Sequence, residues 1–383
     1  MQLARLSLLN FRNYREANIH FFDGVHVIYG ENGAGKTTIL EAIHYLALTK
    51  SFRTAVDKHL IFDKEKMFRI QGDFTNRQGQ AIHTTIAYSR DSGKHLTANG
   101  QKLQKFSEYI GEVPVVLLHP ADLSLSQGSP QQRRRFLDIL LSQSSKLYLH
   151  HLIQYNRSLK QRNQLLLKSQ EAPLDPQLLI SWEENLIHHG AEIIRKRQES
   201  VVRLSELVKS FYGQLSRKAD QIKIIYQRSV PEQKGEDLHD TYRRLFAEKR
   251  SREQAYGSTI IGPHRDDLLF LINGRPAKAY ASQGEHKTFV IALKLGEFQH
   301  LEQQRDQAPI LLFDDIFGEL DAGRIEEMLN QLSDIGQVFV TTTSRNFFDK
   351  ISHFKHTTHY YAVQNGTIDY QTETPENRGM QGA

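Results

Sequence analysis

Up to about residue 120 the chain is dominated by short apolar and alternating runs. Leu3–Leu9 and Ala17–Phe22 read as strands, and Phe68–Thr75 with Ala81–Ser89 read as a hairpin around a polar turn holding Gly79. Asn99-Gly100 is a two-residue hairpin turn. Val25–Tyr29 and Val113–Leu118 are continuous apolar runs, the pattern of strands buried on both faces of a parallel sheet. From about Ser129 the period changes to that of helices. Leu149, Leu152, Leu159 and Leu166 share one helical face, as do Trp182, Leu186 and Ile193, and then Val201, Leu204 and Val208. Pro173 and Pro176 separate the first long helix from the second. Strands return at Thr259–Ile272, with an Asn273-Gly274 turn. A helix follows at Gly284–Leu301, then a buried strand at Pro309–Phe313, a helix at Arg324–Leu332 and a strand at Gln337–Thr341. A third turn is expected at Asn365-Gly366, and the polar stretch 371–383 is expected to be a disordered tail.

Between the strand Val25–Tyr29 and the helix expected from Thr38 lies Gly30-Glu31-Asn32-Gly33-Ala34-Gly35-Lys36-Thr37, which fits G-x-x-x-x-G-K-[ST] at every fixed position. Glycines there let successive backbone N–H groups turn toward phosphate oxygens at a helix N-terminus. The chain is therefore expected to bind a nucleoside triphosphate through these eight residues and Thr38. Lys36 is expected on the β- and γ-phosphates and Thr37 on Mg²⁺. Ile310–Asp315 is an apolar strand ending in two carboxylates, the form of a Walker B element. Asp314 is expected to hold Mg²⁺ and Asp315 to polarise the attacking water.

Composition narrows the class. The chain has 383 residues, enough for two or three domains, and its mean hydropathy is −0.52. No run is long enough to span a bilayer and no signal-peptide core opens the chain, so a cytoplasmic protein is expected. There is no cysteine, which removes disulfides, thiolate metal sites and cysteine nucleophiles. The 18 histidines show no H-E-x-x-H or comparable ligand spacing, and no metal motif is read from them. A formal charge of +5 permits nucleic-acid binding. Basic clusters at Arg133-Arg134-Arg135, Arg195-Lys196-Arg197, Arg217-Lys218 and Lys249-Arg250 with Arg252 are candidate contacts, with Arg195 and Arg197 as the first pair to test.

Ser282-Gln283-Gly284 precedes a helix, so it offers either a phosphate-binding N-terminus or an ordinary capping box closed by Glu285. Placed before Ile310–Asp315 and followed by Gly318-Glu319-Leu320-Asp321, it resembles the signature and D-loop of ABC-type ATPases. That resemblance implies a nucleotide shared by two subunits, with Ser282, Gln283, Gly284 and Asp321 facing the partner's nucleotide. The class usually has a histidine after the next strand. Here Thr341-Thr342-Thr343 stands in that place, and Thr342 is expected to contact the γ-phosphate. Asp315 replaces the usual glutamate, so turnover is expected to be slow. His119–Asp122 is the expected place of the glutamine loop.

The segment between Thr37 and Ser282 is too short and too rich in strands for the long heptad arms of structural-maintenance-of-chromosomes proteins, and no D-x-D suggests a fused nuclease. The chain resembles the RecF family of recombination-mediator ATPases along nearly its whole length. The resemblance rests on Leu9–Tyr14, the P-loop, Lys50-Ser51-Phe52-Arg53, His119–Leu123, Arg133–Asp138, Gly262–Asp267, Ser282–Gly284 and Asp314-Asp315. It implies an α/β ABC-type P-loop head with a nucleotide-binding lobe and a mainly helical second lobe. Lobe I would hold residues 1–122 and 301–370, and lobe II residues 123–300 with the signature. It also implies that Arg12 contacts nucleotide and that ATP with Mg²⁺ drives weak, switch-like hydrolysis and homodimerisation. DNA at gaps or stalled forks would be the target, with RecR, RecO and RecA as partners and no membrane. A nucleotide-dependent scaffold for proteins, with incidental basic charge, stays open as the other reading.

Overall fold

The computed structural model describes residues 1–170, 176–216, 219–233, 235–316, 336–343 and 357–372. The chain divides into two compact units, Met1–Asp122 with Lys294–Ala383, and Leu123–Leu293. The second crossing falls between Leu293 and Lys294, ahead of the 300/301 boundary expected.

The first unit contains two six-stranded sheets among the described residues. One is antiparallel, in the order β2 (Tyr14–His20), β1 (Gln2–Phe11), β4 (Met67–Thr75), β5 (Ala81–Ser89), β6 (Gly93–Ala98), β7 (Gln101–Lys102). Asn99-Gly100 forms the last hairpin, as expected. The other sheet is ordered β15 (Thr367–Thr372), β14 (Thr358–Gln364), β3 (Val25–Tyr29), β13 (Val338–Thr342), β12 (Ile310–Asp314), β8 (Val115–Leu118). All its pairings are parallel except the edge hairpin β14–β15. Its inner strands are buried along almost their whole length, because a parallel sheet is covered on both faces. Helix α1 (Lys36–Leu48) packs on β4 and β5 of one sheet and on β8, β12 and β13 of the other. It is accordingly apolar nearly all round. Ile39, Leu40, Ile43 and Leu46 are fully buried, each contributing about 1.5–3 kcal/mol.

Register decides where the chemistry gathers. Asp314 pairs with Thr341, and Thr341 with Ile28, so β3, β12 and β13 end together at one carboxyl edge. The loop after β3 opens over that edge, the usual binding crevice of an open α/β sheet. Strand β15 runs through Thr372, so Gln371 and Thr372 are strand and not tail. Residues 373–383, Arg324–Leu332 and the D-loop with Asp321 lie outside the described residues.

The second unit consists of α2 (Ser124–Gln127), α3 (Pro130–Ser144), α4 (Lys146–Lys168), α5 (Pro176–Ser216), β9 (Ile222–Gln227), α6 (Leu238–Tyr256), β10 (Asp267–Ile272), β11 (Arg275–Pro276) and α7 (Ala277–Tyr280), together with the start of α8 (Gln283–Arg305). In the lobe read as mainly helical, β10 and the Asn273-Gly274 turn into β11 match expectation, whereas β9, which completes the small sheet β11–β10–β9, is not foreseen. The expected strand Thr259–Ile272 begins only at Asp267. Upstream, side chains capture the backbone: Thr259 N–H donates to Asn163, Ile260 N–H to Glu253 and Gly262 N–H to Ser229. No ladder can form where those donors are taken.

The buried side of α4 also differs from expectation. Leu149, Leu152 and Leu159 are only half-buried, whereas Tyr148, His151, Tyr155, Ser158, Arg162 and Leu166 face inward. Most of this polar seam is paired internally, although Arg162 Nε has no hydrogen-bond partner among the described residues. Tyr155 Oη bonds His264 Nδ1 at 2.6 Å, and Arg162 bonds Glu183 and Glu253 at 2.7 and 2.6 Å. Of the pair expected to contact nucleic acid, Arg197 is withdrawn from solvent. Arg197 is 2% exposed and donates to Tyr148 Oη, the Pro263 carbonyl and Asp138 at 3.0, 2.7 and 2.6 Å. It is a structural cation. Arg195 is exposed and pairs with Glu192. Arg133 is likewise buried, forked onto Asp267 at 2.7 and 2.9 Å. Arg217 and Lys218 lie outside the described residues.

Candidate functional site

The loop Gly30–Gly35 joins β3 to α1 by a path that needs glycine at both ends. Gly30 has φ +153°, and a Cβ there would stand 2.2 Å from the Val363 carbonyl oxygen. Gly35 has φ +119°, and a Cβ there would stand 2.5 Å from Asn13 Nδ2 and 2.8 Å from Tyr14 Oη. Those two side chains brace the loop from outside. Asn13 donates to the Ala34 carbonyl at 3.1 Å and Tyr14 to the Gly35 carbonyl at 3.2 Å.

Lys36 Nζ curls back onto the loop and donates to the Gly30 and Glu31 carbonyls, both at 2.8 Å. Burial pushes its ammonium below the ordinary lysine value, against the opposing pull of Asp315 and Asp314. A group of phosphate oxygens would offset that burial cost directly. Thr37 Oγ1 donates to Asp314 Oδ1 at 2.8 Å, so a hydroxyl and a carboxylate converge at the loop. Both are hard oxygen donors, the set that suits Mg²⁺. Asp315 follows in a left-handed backbone conformation, φ +49°, and is exposed.

Lys36, Thr37 and Asp315 line one cavity of about 420 Å³, together with Arg12, Asn13, Asn32, Gly33, Gly35, Thr38, Arg53, His59 and Ile61. The sequence-predicted Arg12, Asn32, Gly33, Gly35, Lys36, Thr37, Thr38 and Asp315 are therefore brought together. Gly30 and Glu31 hold Lys36, Ala34 anchors Asn13, and Asp314 sits behind Thr37.

Thr342 was expected to reach the nucleotide, but it is buried at the end of β13 and does not line this cavity. Its neighbour Thr341 is the organising hydroxyl. Thr341 Oγ1 donates to Asp314 Oδ1 at 2.8 Å and accepts from the Asp315 backbone N–H at 2.9 Å. His119 does not line the cavity either. Its ring stacks on Phe52 with centroids 5.4 Å apart, and its backbone N–H is held by Asp122. Ser282, Gln283 and Gly284 belong to the other unit. Ser282 accepts from Glu285 N–H at 3.3 Å while Glu285 accepts from Ser282 N–H at 2.7 Å, a reciprocal capping box that starts α8.

Glu41 was not anticipated. It is a fully buried carboxylate in an otherwise apolar stretch of α1. Arg12 forks onto it with bonds of 2.9 and 2.7 Å, Ser51 donates to it, and Arg53 approaches at 3.4 Å. Arg12 and Arg53 are thereby fixed as two cations along one wall of the cavity. The signal was present as a lone acid within a buried helix, since such a charge requires a partner. Which arginine answers it depends on a contact far away in sequence.

The profile of the RecF/RecN/SMC N terminal domain family matches residues 2–368. The chain is 38% identical over 349 residues to the DNA replication and repair protein RecF of Chlorobium limicola, covering 90% of this chain and 96% of that one. It is 40% identical over 354 residues to the RecF of Halalkalibacterium halodurans, covering 91% and 94%. The recombination mediator protein RecF solved as RecF-ATPrS in the RecFOR pathway superposes with a TM-score of 0.89 at 30% identity, covering 97% of this chain and 98% of that one. The Smc head domain of Pyrococcus furiosus, solved with an extended coiled coil and bound to the C-terminal domain of ScpA, shares the fold, with a TM-score of 0.56 at 16% identity over 98% and 97% of the two chains. The P-loop head built on parallel strands, the Lys36–Thr37–Asp314–Asp315 cluster and these likenesses agree: the chain belongs to the RecF family of DNA replication and repair proteins.

Proposed function

We propose that the protein is an ATP-dependent DNA-binding switch of replication and recombinational repair, acting in the cytoplasm. The observation that carries this reading is the convergence of Lys36, Thr37 and Asp315 on one cavity, with Asp314 bonded to Thr37 behind it, in a RecF-family chain. Loop N–H groups and Lys36 bind the phosphates, with Arg12 and Arg53 adding positive charge along one wall. Thr37 and Asp314 would hold Mg²⁺, which neutralises phosphate charge when bound. Asp315 orients the attacking water, and Thr341 holds the Asp315 backbone and the Asp314 carboxylate in mutual register.

Lys36→Ala is expected to weaken ATP binding by about 10²-fold, because it removes a charge-assisted donor to phosphate. Lys36→Arg should keep part of the affinity and lose hydrolysis, since the cation is retained but displaced. Calorimetric titration with ATP decides this. Equal affinity for wild type and Lys36→Ala would remove Lys36 from the site.

The wider role follows the family. ATP closes two copies of the chain, with Ser282, Gln283 and Gly284 of each completing the other's site. The closed dimer holds DNA at gaps or stalled forks and helps RecR and RecO load RecA. Little base specificity is expected, because phosphate contacts carry no sequence information. DNA affinity, measured with ATP, with ADP and without nucleotide, should be highest with ATP. It should fall with salt at a log–log slope of roughly −0.9 per phosphate contact on duplex. Sedimentation in the same solutions should show dimer with ATP only, and Ser282→Arg should abolish it while ATP still binds. Coincident DNA curves in all three nucleotide states would favour the protein-scaffold reading instead. Arg197→Ala is unsuitable as a DNA-contact probe, because Arg197 holds the second unit together.

A further inference from the structure

Four imidazoles cluster where α4 packs on α5, far in sequence from the P-loop. His150 and His151 lie on α4, and His188 and His189 on α5. His151 Nδ1 and His189 Nδ1 are 3.0 Å apart. One ligand nitrogen each from His151, His188 and His189 lies within 4.8 Å of the others. In a tetrahedral zinc site the metal–nitrogen distance is about 2.0–2.1 Å, which sets neighbouring nitrogens roughly 3.3 Å apart. The rings therefore stand within small side-chain rotations of coordinating a common ion. His151 is buried, His189 half-buried and His188 exposed, so the cluster is supported on one side and open to solvent on the other.

We propose that His151, His188 and His189 form a binding site for a borderline divalent transition metal, of which Zn²⁺ is the reference case. Three neutral imidazoles are a nitrogen-only donor set, which suits Zn²⁺, Ni²⁺ or Cu²⁺ and not Mg²⁺. Two of the ligands are adjacent on α5 and the third comes from α4, so a bound ion ties the two helices across their packing seam. Glu192 places a negative charge near His151, and Arg195 a positive one. The site is chemically distinct from the hard-oxygen pair Thr37 and Asp314, and its ligands come from a different compact unit.

The test uses the full chain without an affinity tag, stripped with chelator and free of nucleotide. Zn²⁺ is titrated calorimetrically, and Co²⁺ is added in parallel to read its visible absorption. The wild type should take up a single equivalent of Zn²⁺ saturably, and Co²⁺ should give the intense visible bands of a low-coordinate nitrogen site. Because His188 is exposed, His188→Ala should fold normally. It should weaken Zn²⁺ by more than the roughly 10–100-fold that loss of a mere supporting partner costs. Zn²⁺ should also raise the thermal midpoint of the wild type, since it binds the folded chain, and His151→Gln should both weaken Zn²⁺ and cancel that rise. Absence of saturable Zn²⁺ binding, or binding equally tight in His188→Ala, would overturn the proposal and leave the four rings as packing.

Discussion

Asp315→Asn is expected to slow ATP hydrolysis by about 10²–10⁴-fold, the usual contribution of a general base, while ATP affinity changes little. The geometry makes this a clean replacement. Asp315 sits at φ +49°, a left-handed conformation that Asn and Asp tolerate better than other side chains. Its backbone N–H is held by Thr341 Oγ1 at 2.9 Å, a bond that the substitution does not touch. Asn has the same shape as Asp, so what is lost is the negative charge beside the attacking water. Asp314 is unaffected and keeps its 2.8 Å bond from Thr37, so the groups assigned to the metal remain. The variant should therefore accumulate with ATP bound. Single-turnover hydrolysis with labelled ATP reads the rate, and filter binding reads the affinity. An unchanged single-turnover rate would exclude Asp315 as the water-orienting group, whereas loss of binding would mean that its charge serves the ground state.

Much of this site was legible in the chain because its parts are contiguous. Gly30–Thr37 and Ile310–Asp315 are short motifs whose chemistry depends on local spacing, and parallel-strand register brings them together with no further information. What was not legible depends on distant partners. Thr341 and Thr342 are equally plausible as hydroxyls. Only the pairing of β12 with β13 decides that Thr341 faces Asp314. Arg197 sits in a basic triplet that reads as a solvated face, yet Asp138, Tyr148 and the Pro263 carbonyl draw it inside. The leucine face of α4 misleads for the same reason. Leucines at helical spacing normally mark the core, but here a network of Tyr, His and Arg side chains takes that position, with its hydrogen-bond partners on α5, α6 and the loop after α6. Apolar periodicity carries no record of partners that are polar and remote.

Arg162→Met should destabilise the second unit by about 3–5 kcal/mol, the cost of stripping one partner from a buried ion network. Arg162 is wholly buried and donates to Glu183, Glu253 and Thr259 at 2.7, 2.6 and 2.8 Å, with its guanidinium 4.4 Å from the Phe246 ring centroid. It thus joins α4 to α5, α6 and the loop at Thr259. Arg250 bonds the second oxygen of Glu183 at 2.9 Å, so removing Arg162 leaves Glu253 as the uncompensated charge. Burial already lifts the Glu253 carboxyl above its usual value, with Arg162 opposing the lift. A raised folded-state value means that the folded chain binds the proton more tightly than the unfolded one. Its contribution to stability is then full at low pH and is lost as pH rises through the folded value. Without Arg162 that lift grows, so the variant should be less destabilised in mildly acid than in mildly alkaline solution. Adding Glu253→Gln should recover part of the loss, because it neutralises the one buried carboxylate left without a cation while Glu183 keeps Arg250. Trp182, the single tryptophan, is half-buried on α5 beside Glu183 and reports unfolding of this unit by fluorescence. Urea titrations of the three proteins at both pH values test the whole chain of reasoning. An unchanged midpoint in Arg162→Met, or a loss that does not depend on pH, would mean that packing around Arg162 and not its charge holds these helices together.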